Sequence, residues 1–88
     1  MEKIKIYNQN LEELSVELIF SFFCKETQKS YVAVDNKKKL LEDNSTYNNL
    51  DILEIKKQDS KHVLVSNIPE SDWEAVKKAL QYEVFAAL

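Results

Sequence analysis

Hydrophobic and polar positions alternate most sharply between residues 16 and 24, where Val16, Leu18, Phe20 and Phe22 interleave with Glu17, Ile19, Ser21 and Phe23. One face of this segment is wholly apolar and the other is apolar only in its middle, the pattern of a central strand covered on one side and partly shielded on the other. After a polar turn at Glu26, Thr27, Gln28 and Lys29, a second β-rich run from Tyr31 to Val34 stops at Asp35 and Asn36, residue types that favour turns. Two such runs joined by a short loop predict a β-hairpin. A helix competes for the first run, because Asn10 to Glu13 resembles a capping box and Leu11, Leu14, Leu18 and Phe22 could share a helical face. That helix would also place Val16, Phe20 and Phe23 on its opposite face, apolar all round in a chain too short to bury it. The strand reading is therefore preferred for Val16 to Cys24.

Upstream, Lys3 to Tyr7 alternates polar and apolar, which predicts a short strand, and its lysines suit a sheet edge. Downstream, residues 50–55 and 62–65 read as two further strands forming a second antiparallel hairpin across the lysine-rich segment between them. Residues 36–49 carry three consecutive lysines and an Asn-rich tail, and read as a long connection, mobile or functional. Pro69 lacks an amide hydrogen and disfavours helical angles at Ile68, so it separates strand from helix. Ser71, Asp72, Trp73 and Glu74 form a capping-box pattern, followed by a stripe of Trp73, Val76, Leu80, Val84 and Ala87 at helical spacing. The expected fold is α+β: one domain over residues 1–88, with an antiparallel sheet of four to five strands in two hairpins, covered on one face by a C-terminal helix. Trp73 is expected to anchor that core.

Composition narrows the class. With 44% hydrophobic and 31% charged residues the chain is that of a globular protein. Twelve lysines face 15 acidic residues, giving a formal net charge of −3, and there is no arginine. Arginine supplies the bidentate grip on phosphate and guanine, so its absence makes nucleic acid an unlikely partner. The N-terminal residues carry no apolar stretch like a signal-peptide core, and no run approaches the ~18 apolar residues of a membrane span. Cys24 is the single cysteine, which fits a reducing compartment. The expected location is the cytoplasm, away from membranes.

Several of these residues resemble a known family. The order Phe-x-x-Lys-Glu-Thr-x-Lys-x-Tyr-Val over Phe22 to Val32, the run from Leu64 to Pro69, and the helix opening at Asp72 to Val76 resemble the YrzB-like bacterial domains of unknown function. The likeness spans roughly residues 18 to 80. It implies a small cytosolic bacterial domain of strands followed by a helix, and carries no catalytic residues. Gln28 stands where the family's turn glycine is expected, which puts a left-handed turn there in doubt.

Candidate chemistry is sparse. Cys24 and His62 are the one pair that could form a nucleophile and its base, but nothing in the sequence places them together or supplies an oxyanion site. A lone cysteine among phenylalanines reads as a small core residue. One Cys and one His do not close a zinc site, and the carboxylates lack calcium-loop spacing. No cofactor, no metal and no catalytic residue is assigned. The leading expectation is a non-enzymatic protein-interaction module with an unidentified protein partner. A small enzyme using Cys24 and His62, or a nucleic-acid accessory protein, are the alternatives. Tyr47 in the long connection and Tyr82 and Phe85 off the helical stripe are the candidate partner surface. A patch that short at a helix end implies a monomer or a weak homodimer.

Overall fold

The structure is a computed structural model that describes residues 2–35, 45–47, 50–58 and 62–84. Six strands, β1 (Glu2–Tyr7), β2 (Glu13–Cys24), β3 (Lys29–Asp35), β4 (Ser45–Tyr47), β5 (Leu50–Gln58) and β6 (Val63–Ser66), precede helix α1 (Glu70–Ala79) and a π-helical turn, Leu80–Val84. The fold is α+β, with both expected hairpins present: β2 pairs antiparallel with β3, and β5 antiparallel with β6. The segment for which a helix competed is strand throughout.

The sheet also closes on itself. Successive antiparallel pairs join β1 to β2, β2 to β3, β3 to β5 and β5 to β6, and a parallel contact of Ile6 with Val63 and Tyr7 with Leu64 returns β6 to β1. Strand β1 was expected at an edge, and its first residues do pair on β2 alone among the described strands, but its last two seal a five-stranded barrel. The short β4, in a stretch expected to be a loop, adds to β5 through Leu50 to Ile52. The rest of the long connection, residues 36–44 and 48–49, lies outside the described residues, so its expected mobility does too.

Closure splits the apolar residues into two cores. Ile6, Val16, Val32, Val34, Leu53 and Val65 fill the barrel with Ile4, Leu14, Leu18, Ile55 and Val63, an aliphatic set drawn from all five barrel strands. Cys24, Tyr31, Ala33 and Ile52 point out of the wall and meet Ile68, Val76, Ala79 and Leu80, joined by Phe20, Phe22, Leu50 and Trp73. Strand β2 serves both. Its register with β3 steps from Leu18 opposite Val34 to Phe20 opposite Ala33, leaving Ile19 as a bulge. A bulged residue turns the strand, so even-numbered side chains that face the lumen up to Leu18 face the helix from Phe20 onward. The apolar face read as one surface is thus two.

Helix α1 starts earlier than its sequence pattern suggests. Pro69 is the N-cap, with no side-chain cap hydrogen bond, and Ser71 and Glu74 do not form the expected capping box. Pro69 O accepts from Asp72 N at 2.9 Å instead, and the pre-set proline φ starts the turn at Glu70. Asp72, in this first turn, reaches the barrel. Val76 and Leu80 of the expected stripe are fully buried and Trp73 is half-buried, with Lys77 Nζ 5.9 Å above its ring.

Candidate functional site

Among the described residues, two parts of the outer barrel wall carry grouped apolar side chains. The first is the face under α1. Register places Phe22, Tyr31, Glu54 and Ser66 side by side across four strands. Phe22 stacks on Tyr31 at 5.4 Å, and the Tyr31 hydroxyl shares a 2.8 Å hydrogen bond with Thr27 Oγ1. Burial raises the Tyr31 pKa, with the Thr27 hydrogen bond opposing it. Glu54, its side chain only 3% exposed, sits between two cations: Lys56 Nζ is 2.7 Å from Oε2, and Lys29 Nζ is 3.4 Å from Oε1. Lys29 also donates to Asp72 Oδ2 at 2.8 Å. The Asp72 hydrogen bond is the main cause holding the Lys29 ammonium above the ordinary lysine pKa. One lysine at the start of β3 thus ties the first turn of α1 to the sheet. Glu54 Oε1 and Ser66 Oγ, on neighbouring strands, have no hydrogen-bond partner among the described residues.

The second is the wall made by the end of β1, the start of β6 and the end of β5. Tyr7 lies level with Leu64, and Leu64 with Lys57, so the three form one outward row. A bulge at Lys56, between the pairs of Ile55 with Val65 and Lys57 with Leu64, keeps Lys57 outside the barrel. The row borders an open hollow of about 360 Å³ lined, among the described residues, by Tyr7, Leu11, Lys57, His62 and Leu64. Tyr7 meets His62 edge-on, with ring centroids 5.2 Å apart.

Leu11 is the residue that sequence reasoning missed. It is 73% exposed and has φ 62°, in the left-handed region where a side chain costs about 1 kcal/mol or more. Asn8 sets this loop. Its Oδ1 accepts from the amides of Asn10 and Glu12, its Nδ2 donates to Glu12 Oε1, its amide donates to Glu12 O, and its carbonyl accepts from Leu11 N. The β1–β2 connection is therefore a fixed turn presenting an aliphatic side chain to water. The sequence marks a turn at Asn8-Gln9-Asn10, but nothing in it says that the leucine beside that turn stays in water.

Of the expected partner residues, Tyr82 stands in the π-helical turn, 68% exposed beside a smaller hollow shared with Cys24, Lys25, Glu26 and Ala79. Tyr47 belongs to β4, of which the backbone is described, and Phe85 lies outside the described residues. Cys24 and His62 are not brought to one hollow: Cys24 is buried, its thiol 3.9 Å from Ala75 O under the helix, whereas His62 lines the groove with Leu11. No three His, Cys, Asp or Glu among the described residues are grouped to hold a metal ion, and no described helix is long and apolar enough to cross a membrane. Comparison with protein-family models, curated proteins and solved structures finds no match for the chain.

Proposed function

We propose that the protein is a non-enzymatic interaction module and that the groove of Tyr7, Leu11, His62 and Leu64 is its contact surface. One observation carries this reading: Leu11, 73% exposed, is held at positive φ by the side-chain and backbone hydrogen bonds of Asn8. A loop selected for stability alone would place glycine or asparagine there, as either tolerates the left-handed region without an apolar side chain in water. An apolar anchor pre-set in its bound conformation loses little entropy on association. Tyr82 at the helix end is a secondary contact on the same reading, and the weak self-association expected from the helix end fits a module that acts mainly through another protein. On the YrzB-like resemblance, the setting is a bacterial cytosol.

Photo-crosslinking tests the surface. A benzoylphenylalanine at position 11 should capture a recurrent protein from the native lysate, and Leu11→Gly in a second, tagged copy should weaken retention of that protein. Capture of nothing above background from position 11, with specific capture from position 82, would move the contact surface to the helix end.

A further inference from the structure

Most polar side chains on the helix-covered wall find partners within the chain. The Tyr31 hydroxyl and Thr27 Oγ1 share a hydrogen bond of 2.8 Å, Lys29 donates to Asp72 Oδ2 at 2.8 Å, and Lys56 Nζ lies 2.7 Å from Glu54 Oε2. Two atoms are left over: Glu54 Oε1 and Ser66 Oγ are buried and have no hydrogen-bond partner among the described residues. Lys29 Nζ, 3.4 Å from Oε1, makes an ion pair there without the geometry of a hydrogen bond. Glu54 is 2% exposed and Ser66 6%, so bulk solvent does not serve them. A buried carboxylate oxygen and a buried hydroxyl both lose hydration on folding, and native proteins nearly always restore it with a partner.

Register brings the two atoms to one place. Glu54 on β5 faces Ser66 on β6 in their antiparallel pair, and facing residues hold their Cβ atoms about 4.5 to 5.5 Å apart. Side chains so placed that do not bond each other lie within the span of one small bridging molecule. A carboxylate oxygen only accepts, whereas a serine hydroxyl also donates, so the bridge must donate to Oε1 and can accept from Oγ. Its charge is constrained as well, because the ammonium groups of Lys29 and Lys56 already face the carboxylates of Glu54 and Asp72. A further ion of either sign would unbalance that set in a site shielded from solvent. We propose that Glu54 and Ser66 bind one buried water molecule as a fixed part of the wall under α1. The water donates to Glu54 Oε1 and accepts from Ser66 Oγ, and being small and neutral it completes both without disturbing the ion pairs. It joins β5 to β6 beside the point where Lys29 joins β3 to α1. The site is separate from the groove and stands whether or not the groove is the contact surface.

A crystal structure of the full chain and ¹⁷O relaxation dispersion of its water test the site together. The crystal structure should show one solvent peak within about 3 Å of both Glu54 Oε1 and Ser66 Oγ. The dispersion should record a long-lived water in wild type and in Ser66→Thr, which keeps the hydroxyl. In Ser66→Ala its residence should shorten about tenfold, the effect of losing one hydrogen bond. A direct bond from Ser66 Oγ to Glu54 Oε1 with no solvent peak would overturn the proposal. A peak whose height follows the sodium or chloride concentration would place an ion there and overturn the neutral occupant. Equal residence in wild type and Ser66→Ala would show that the hydroxyl holds no water, and would overturn it too. Should Ser66→Ala fail to fold, the solvent peak in the wild-type crystal decides alone.

Discussion

The barrel's two apolar outer faces differ in what covers them. Under α1, Phe22, Tyr31 and Ile52 are sealed by Val76 and Leu80, and Lys29 ties the helix to the wall through Asp72 and Glu54. Along β1 and β6, Tyr7 and Leu64 meet no helix among the described residues, and the adjoining turn holds Leu11 in water. The first face is part of the folding unit. The second leaves Tyr7 and Leu64 half-buried and Leu11 exposed, and the proposed contact surface rests on that difference.

The comparison can be broken from either side. Leu80 is fully buried at the end of α1, so Leu80→Ala should cost about 2 to 5 kcal/mol in urea unfolding. A cost under about 1 kcal/mol would mean that the helix is not integral to the fold. Trp73 is half-buried and shares its ring with Lys77, so Trp73→Ala should cost about 2 to 3 kcal/mol, less than the roughly 3 to 5 expected of a fully buried tryptophan. A full-sized loss would place the indole deeper beneath the helix.

Electrostatics separates the faces in a different way. The folded-state pKa of Lys29 lies above its unfolded value, so the contribution of its ion pairs is whole below the ordinary lysine range and is lost as pH rises through the folded value. Melting followed from neutral to strongly alkaline pH should show wild type losing its margin over Lys29→Met above that range. An unchanging margin would mean that the lysine acts through its methylenes alone.

The sequence-to-structure relation follows the same division. Strand and helix positions were legible because alternation and helical spacing report local burial, and both hairpins follow from them. Two features depend on distant partners and were not, and a third, the helix start, is local but lies at a different residue from the one its pattern suggests. The bulge at Ile19 exists because β2 must pair with β1 along one half and β3 along the other, and no local residue type announces that. Closure of β6 on β1 is a contact between chain segments more than fifty residues apart. The capping box at Ser71 is displaced because Pro69 starts the helix two residues earlier. Of the site, Tyr82 was legible as apolar bulk off a stripe. Leu11 was not, since exposure of one leucine depends on where the barrel ends.

Gln28 sharpens the contrast with Leu11, because both adopt positive φ. The doubt raised by the missing glycine is resolved by the structure: Gln28 has φ 60°, and its side chain donates to Lys25 O at 2.6 Å while its amide donates to Cys24 O at 2.8 Å. The side chain thus compensates part of the strain it causes. Gln28→Gly should change stability by only about 0.5 kcal/mol, the gain in backbone freedom offset by the lost hydrogen bond and a more flexible unfolded chain. A gain near 2 kcal/mol would show that the Lys25 contact contributes nothing.

Leu11 has no such compensation, and urea unfolding of Leu11→Gly is the most direct test of the claim that its side chain serves a partner and not the fold. Relief of the left-handed strain should leave the variant as stable as wild type or up to about 1 kcal/mol more stable, with an unchanged denaturant slope. A loss of about 1 kcal/mol or more would show that Leu11 packs into its own domain, and would contradict the account.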